Sequence, residues 1–122
     1  ARAASHGKRV RCMGGAKNHL TLLPDADPEM SASDIVASVT GCSGQRCMAA
    51  SLLLAVGKVE PIIERIKSKM EQIIPGRDMG PVISASALKR IAGYIERAES
   101  GGARLLLDGR KMNGHHLNQG YY

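Results

Sequence analysis

The segment Gly41-Cys42-Ser43-Gly44-Gln45-Arg46-Cys47-Met48-Ala49 places a thiol next to a guanidinium in a glycine-flanked bend, between an apolar helix pattern and an apolar strand pattern. A thiol attacks a carbonyl as its thiolate, and a neighbouring cation, a helix end or backbone donors favour that form. This environment singles out Cys47, rather than Cys12 or Cys42, as the candidate nucleophile. Cysteine beside arginine also occurs as an ordinary half-buried thiol, so the segment alone leaves both roles open.

A second glycine-rich segment lies upstream, Met13-Gly14-Gly15-Ala16-Lys17-Asn18-His19, followed by an apolar strand pattern and Leu23-Pro24-Asp25-Ala26-Asp27. Another lies downstream, Asp78-Met79-Gly80-Pro81-Val82-Ile83-Ser84. In this order and spacing the segments resemble the aldehyde dehydrogenase superfamily. Gly-Ala-Lys-Asn-His at 15–19 and Gly-Gln-Arg-Cys-Met-Ala at 44–49 resemble its methylmalonate-semialdehyde dehydrogenase branch, and the resemblance runs from about His6 to Tyr122.

That resemblance implies an NAD-dependent oxidation in which the Cys47 thiolate adds to an aldehyde. The oxyanion of the adduct is implied to rest on the backbone N–H at the nucleophile and on an Asn side chain from outside this segment. Hydride transfer to NAD then leaves an acyl thioester on Cys47. Hydrolytic members carry a glutamate general base at the position of Met13, and methionine cannot accept a proton, so coenzyme A is the implied acyl acceptor. Simple packing at a strand end is the alternative role for Met13. Arg46 is implied to recognise a substrate carboxylate through its planar fork, a surface salt bridge being the alternative. Gly14 and Gly15 are cofactor-binding candidates that let their loop approach the nicotinamide edge. Lys17 and Asn18 are expected to be structural, His19 a hydrogen-bonded core imidazole, Cys42 a bystander small apolar residue and Gly80-Pro81 a corner.

These residues need a scaffold, and the periodicity supplies one. Arg9-Val10-Arg11-Cys12-Met13 alternates as a short strand, and His19–Leu23 reads as the next. Asp27-Pro28 predicts a helix cap with proline at the first helical position; Ala32, Ile35, Val36 and Val39 share a face of that helix, which Gly41–Gly44 ends. Ser51–Val56, apolar on both sides, predicts a buried central strand closed by Gly57. Ile62, Ile63, Ile66, Met70, Ile73 and Ile74 predict an amphipathic helix stopped by Pro75-Gly76. Ser84 is placed to cap a helix through Glu99 with a stripe of Leu88, Ile91, Ile95 and Ala98, and Ala103–Leu107 predicts a last strand. Lys111–Gln119 reads as a polar loop whose His115-His116 pair lacks further metal ligands at suitable spacing. Strands alternating with helices predict an α/β fold, a mainly parallel sheet flanked by helices.

Composition sets bounds on this reading. The 122 residues contain no Trp or Phe and 3 Tyr, so core volume must come from aliphatic side chains. Against 11 acidic residues stand 17 Lys and Arg, but they are scattered apart from the run at Lys8–Arg11, with no aromatic platform for bases, so nucleic acid is not an expected partner. No apolar stretch spans a bilayer and no secretion signal opens the sequence, so a soluble, intracellular protein without membrane association is expected. The odd number of cysteines, 3, argues against a disulfide framework.

Members of the superfamily are several times longer. The expectation is therefore a partial catalytic domain over 1–122 that carries the nucleophile, without the dinucleotide-binding domain and the oligomerisation strands, and inactive alone. The resembling branch implies homo-oligomers, in the cytoplasm of bacteria or the mitochondrial matrix of eukaryotes; the cytoplasm is preferred. A hydrolytic aldehyde dehydrogenase and a non-catalytic structural or binding module are the competing functions.

Overall fold

Residues 2–11 and 15–111 are described by a computed structural model of the chain. Extended backbone over Asn18–Leu22 forms β1, in which burial alternates: Asn18 and Leu20 are half-buried, Leu22 is buried, and His19 and Thr21 are exposed. After Pro24 the chain turns into α1 (Pro28–Thr40). Asp27 caps this helix by accepting the Met30 N–H at 2.7 Å, and Pro28 occupies the first turn, where its missing N–H costs no helical bond. The chain returns in β2 (Ala50–Ala55), which pairs with β1 in parallel. Leu20 lies opposite Leu53 and Leu22 opposite Ala55. β1, α1 and β2 thus make one βαβ unit.

The following helix, α2 (Glu60–Glu71), packs against α1. Between them and the sheet lies the core: Leu22, Ala32, Ile35, Val59, Ile62 and Ile66, with Leu20, Val36, Val39, Leu53, Ile63 and Met70 around it. Glu29 of α1 also reaches Lys69 at 2.6 Å and Arg65 at 3.2 Å on α2. The Lys69 hydrogen bond and charge, and then Arg65, hold its carboxyl below the ordinary range. Exposed pairs of this kind contribute little next to the apolar core. A further helix, α3 (Ala85–Ser100), is capped by Ser84, whose Oγ accepts the Ala87 N–H at 3.2 Å.

Several expectations from the sequence change here. Leu52 and Leu54 of β2 are 38% and 45% exposed where a strand buried on both faces was expected, because among the described residues β2 pairs with β1 alone and Leu53 takes the face toward the core. Ala103–Leu107 is irregular rather than a strand, since no described strand offers it backbone partners. Arg9–Arg11 is irregular too, while Cys12 and Met13 lie outside the described residues. α2 ends at Glu71, three positions before Ile74, where the chain enters a turn. His19 is exposed instead of a core imidazole, because alternation along β1 gives the inward positions to Leu20 and Leu22. On α3 only Ala87 is buried, and Ile91 remains 41% exposed. Of the predicted polar loop, Lys111 ends a short 3-10 turn from Gly109, and His115-His116 lie outside the described residues.

Among the described residues no helix is long and apolar enough to cross a membrane. The core places a quantitative demand on the chain. Ile35→Ala removes packing at a residue 5% exposed and should cost about 2–5 kcal/mol in urea denaturation, whereas Ile91→Ala should cost about 1 kcal/mol or less.

Candidate active site

The thiol segment begins where α1 stops. Cys42 and Ser43 have left-handed backbones, with φ of 52° and 55°, and Gly44 follows at 70°. Two non-glycine residues in this region cost conformational energy, so the surroundings must hold them there. Ser43 Oγ donates to Gly80 O. The Cys42 carbonyl accepts both the backbone N–H of Gln45 at 3.1 Å and its side-chain Nε2 at 2.9 Å. This sharp reversal sends the chain back alongside α1. There Arg46 Nη2 donates to Ala37 O at 2.8 Å and to Ser38 O at 3.4 Å, carbonyls of the last helical turn. Arg46 therefore caps α1 and sets a cation on the partly negative end of the helix. Gly41 lies directly below it, and a Cβ at that position would push the end of the Arg46 side chain off its present place.

Cys47 occupies a turn from Arg46 to Ala49, closed by Ala49 N–H donating to Arg46 O at 3.1 Å. It is exposed and carries a free thiol. Met48 beside it is 85% exposed, while Ala49, 6% exposed, anchors the turn. Two side chains tie the turn to the scaffold. Ser38 Oγ on α1 accepts from Ala50 N at 3.1 Å. Asn18 at the start of β1 donates through Nδ2 to Cys47 O at 2.8 Å and to Ala49 O at 3.0 Å.

The downstream segment lies against the same loop. Gln45 donates through Nε2 to Pro81 O at 3.1 Å and accepts at Oε1 from Ile83 N at 2.9 Å, which grips that strip of backbone in both directions. The turn preceding the strip is held by Asp78, which accepts the Ile74 N–H at 2.9 Å and pairs with Arg77 through two bonds of 2.8 Å. The Arg77 hydrogen bonds and then the Ile74 N–H lower the Asp78 carboxyl from 3.8 to about 2.

The three segments singled out in the sequence therefore meet around Cys47, joined by bonds of Asn18, Ser43 and Gln45. The bonding roles of Ser43 and Gln45 are not evident in the sequence, although a glutamine inside the thiol segment is a natural two-way hydrogen-bonding group. Cys42 is exposed and left-handed rather than a packed small apolar residue. Gly80-Pro81 forms part of the strip docked on the loop. Gly15 is exposed, and a Cβ there would meet nothing within 4 Å; Met13 and Gly14 lie outside the described residues.

A βαβ unit whose crossover helix ends in a strained reversal, with an exposed thiol on the next turn, defines a thiol-bearing portion of an α/β enzyme domain. The chain belongs to the aldehyde dehydrogenase family, whose profile matches residues 1–122. It is 42% identical over 116 residues to malonate-semialdehyde dehydrogenase 1 of Geobacillus kaustophilus (strain HTA426), a match covering 90% of this chain and 24% of the relative. It is 39% identical over 127 residues to a Drosophila melanogaster protein assigned as a mitochondrial, acylating methylmalonate-semialdehyde/malonate-semialdehyde dehydrogenase, covering 99% of this chain and 24% of that one. The fold superposes with a TM-score of 0.87 on a Sinorhizobium meliloti 1021 protein assigned as a methylmalonate-semialdehyde dehydrogenase and crystallised with NAD. That pair shares 35% identity over 98% of this chain and 26% of the other. The chain thus spans about a quarter of the length of these relatives.

Asp78 offers a test of the turn that positions the docked strip. Its carboxyl is lowered in the folded chain, so its stabilising contribution is complete above the ordinary value of 3.8 and is lost as pH falls through about 2. The Ile74 amide resonance, followed by NMR, should titrate with a midpoint of about 2, and Asp78→Asn should remove that titration. A midpoint near 3.8 contradicts the bonding described.

Proposed function

We propose that this chain supplies the nucleophile-bearing part of the catalytic domain of an NAD-dependent, CoA-acylating semialdehyde dehydrogenase that acts on malonate or methylmalonate semialdehyde. The observation that carries the reading is the exposed Cys47 on a turn tied to both α1 and β1, in a chain 42% identical to a malonate-semialdehyde dehydrogenase. The S. meliloti structure with NAD and the acylating assignment of the D. melanogaster relative support the cofactor and the acceptor.

The chemistry then follows from this chain's residues. Cys47 Sγ, as thiolate, forms a bond to the aldehyde carbon, and the carbonyl π pair moves to oxygen, where the Cys47 backbone N–H is one donor. Gly15, exposed and without a side chain, is proposed to let its loop approach the nicotinamide edge. When bound, NAD supplies the hydride acceptor. Loss of hydride from the adduct carbon leaves a thioester on Cys47. The thiol of coenzyme A, after giving its proton to solvent, attacks that carbonyl, and the bond to Cys47 breaks to restore the thiolate.

Arg46 is the proposed contact for the substrate carboxylate, and its bonds to α1 constrain how it could serve. They use Nη2, which belongs to both two-donor edges of a guanidinium, so a carboxylate here either takes a single donor, Nη1 or Nε, or displaces Ala37 and Ser38 from Nη2 to gain the fork.

The tests belong in a full-length enzyme carrying this segment. Cys47→Ser should abolish semialdehyde oxidation, and product should form only when coenzyme A is present; release of free acid without it points to the hydrolytic alternative. Arg46→Ala should raise KM for malonate semialdehyde at least about tenfold while changing that for propanal much less, the loss of one charged hydrogen-bonding contact. Equal losses on both aldehydes assign Arg46 to the helix end alone.

A further inference from the structure

We infer that Asn18 is a positioning residue for Cys47, holding the backbone of the thiol's own turn so that the Cys47 N–H and Sγ are presented in a fixed mutual direction. The inference rests on Cys47 being the nucleophile.

The argument is stereochemical. A planar trans peptide sets its C=O and N–H on opposite sides. In the peptide joining Arg46 to Cys47, the carbonyl accepts from Ala49 N–H at 3.1 Å, so the Cys47 N–H points away from the interior of the turn. In the next peptide, the Cys47 carbonyl is held by Asn18 Nδ2 at 2.8 Å. Pinning both planes beside one Cα fixes its φ and ψ, and with them the direction of the Cα–Cβ bond that carries the sulfur. Asn18 also reaches Ala49 O at 3.0 Å, so the two N–H groups of one rigid amide span two carbonyls of the turn and set their separation.

Asn18 is itself well placed to bear this load. It pairs with Ala50 in the sheet, and its own carbonyl accepts from Ser51 Oγ at 3.4 Å. The ladder is irregular between Asn18 and His19: Asn18 lies opposite Ala50 but His19 opposite Leu52. Irregularities of this kind re-aim a side chain. Here the side chain so placed bonds to the thiol turn rather than joining the core beneath Leu20 and Leu22. The bonds cross 29 and 31 positions of sequence, so no local motif explains them.

Asn18→Asp keeps the shape, removes both N–H donors and sets a carboxylate against two carbonyl oxygens. In a full-length enzyme carrying this segment, it should lower kcat for malonate semialdehyde by about ten- to a hundredfold with KM little changed, the cost of a misplaced reacting group. Iodoacetamide should still alkylate Cys47, since that reaction needs an accessible sulfur but no oriented N–H. A residue that only staples the sheet would lower thermal stability and leave kcat in the folded fraction untouched; that result overturns the inference. Where Asn18→Asp fails to fold, Asn18→Ala and Asn18→Ser decide: the serine hydroxyl retains one donor and should recover part of kcat, and equal values in the two variants overturn the role. An active Cys47→Ser enzyme sinks the proposed function itself, whereas an inactive one beside a fully active Asn18→Asp overturns the positioning role alone.

Discussion

The carbonyl groups at the end of α1 govern where the thiol lies. A helix leaves its last carbonyls without intrahelical partners, and a chain that reverses tightly there must satisfy them. In this chain the reversal brings its own donor: Arg46 reaches back to Ala37 and Ser38, and the N–H of Gly41 bonds to Ala37 as well. The left-handed run from Cys42 to Gly44 is what makes the reach possible. A helical or extended backbone at Cys42 and Ser43 would carry Arg46 away from the helix end, and the turn with Cys47 would leave with it. Strain in the reversal and the charge on the helix end are thus parts of one arrangement, each keeping the other in place.

On that base the site is assembled from distant parts of the sequence by polar groups, while the apolar core lies elsewhere. Leu22, Ala32, Ile35, Val59, Ile62 and Ile66 lock α1 and α2 to the sheet. The loop around Cys47 has little apolar burial of its own, Ala49 apart. Its rigidity comes from amide and hydroxyl groups of Asn18, Ser38, Ser43 and Gln45, which bind backbone rather than one another. Backbone bonds suit this purpose, because a carbonyl or N–H has a direction set by the chain, whereas a side-chain partner must itself be ordered. The sulfur can therefore remain exposed while the atoms behind it are fixed.

What could be read from the sequence follows the range of the interaction concerned. Asp27 and Ser84 were legible as helix caps because a cap acts over three residues, as the bonds to Met30 and Ala87 show. The faces of α1 and α2 were legible because apolar spacing records which side is buried. Cys47 stood out through its neighbours and through the family resemblance. Less could be read where a neighbour distant in sequence decides. Ala103–Leu107 has strand composition, yet strands exist only by pairing. The outward direction of His19 depends on the phase of β1 against the helices. Arg46 was legible as a carboxylate contact or a surface salt bridge but not as a cap of α1, because nothing in the sequence says that the chain doubles back along the helix at this point.

Arg46 also shows why a local motif can carry two functions without contradiction. A guanidinium distributes its N–H groups around a plane, so one nitrogen can serve the helix while others face outward. Among the described residues, its hydrogen bonds run through Nη2 to α1, and the side chain is exposed. Lysine at this position could supply charge to the helix end, but as a single point on a flexible stem it could not bond there and keep further N–H groups in a fixed plane. The residue next to the thiol is then constrained twice, by the carbonyls behind it and by the anion proposed in front: while Nη2 serves the helix, Nη1 or Nε can offer the anion a single bond, and the full fork requires release from α1.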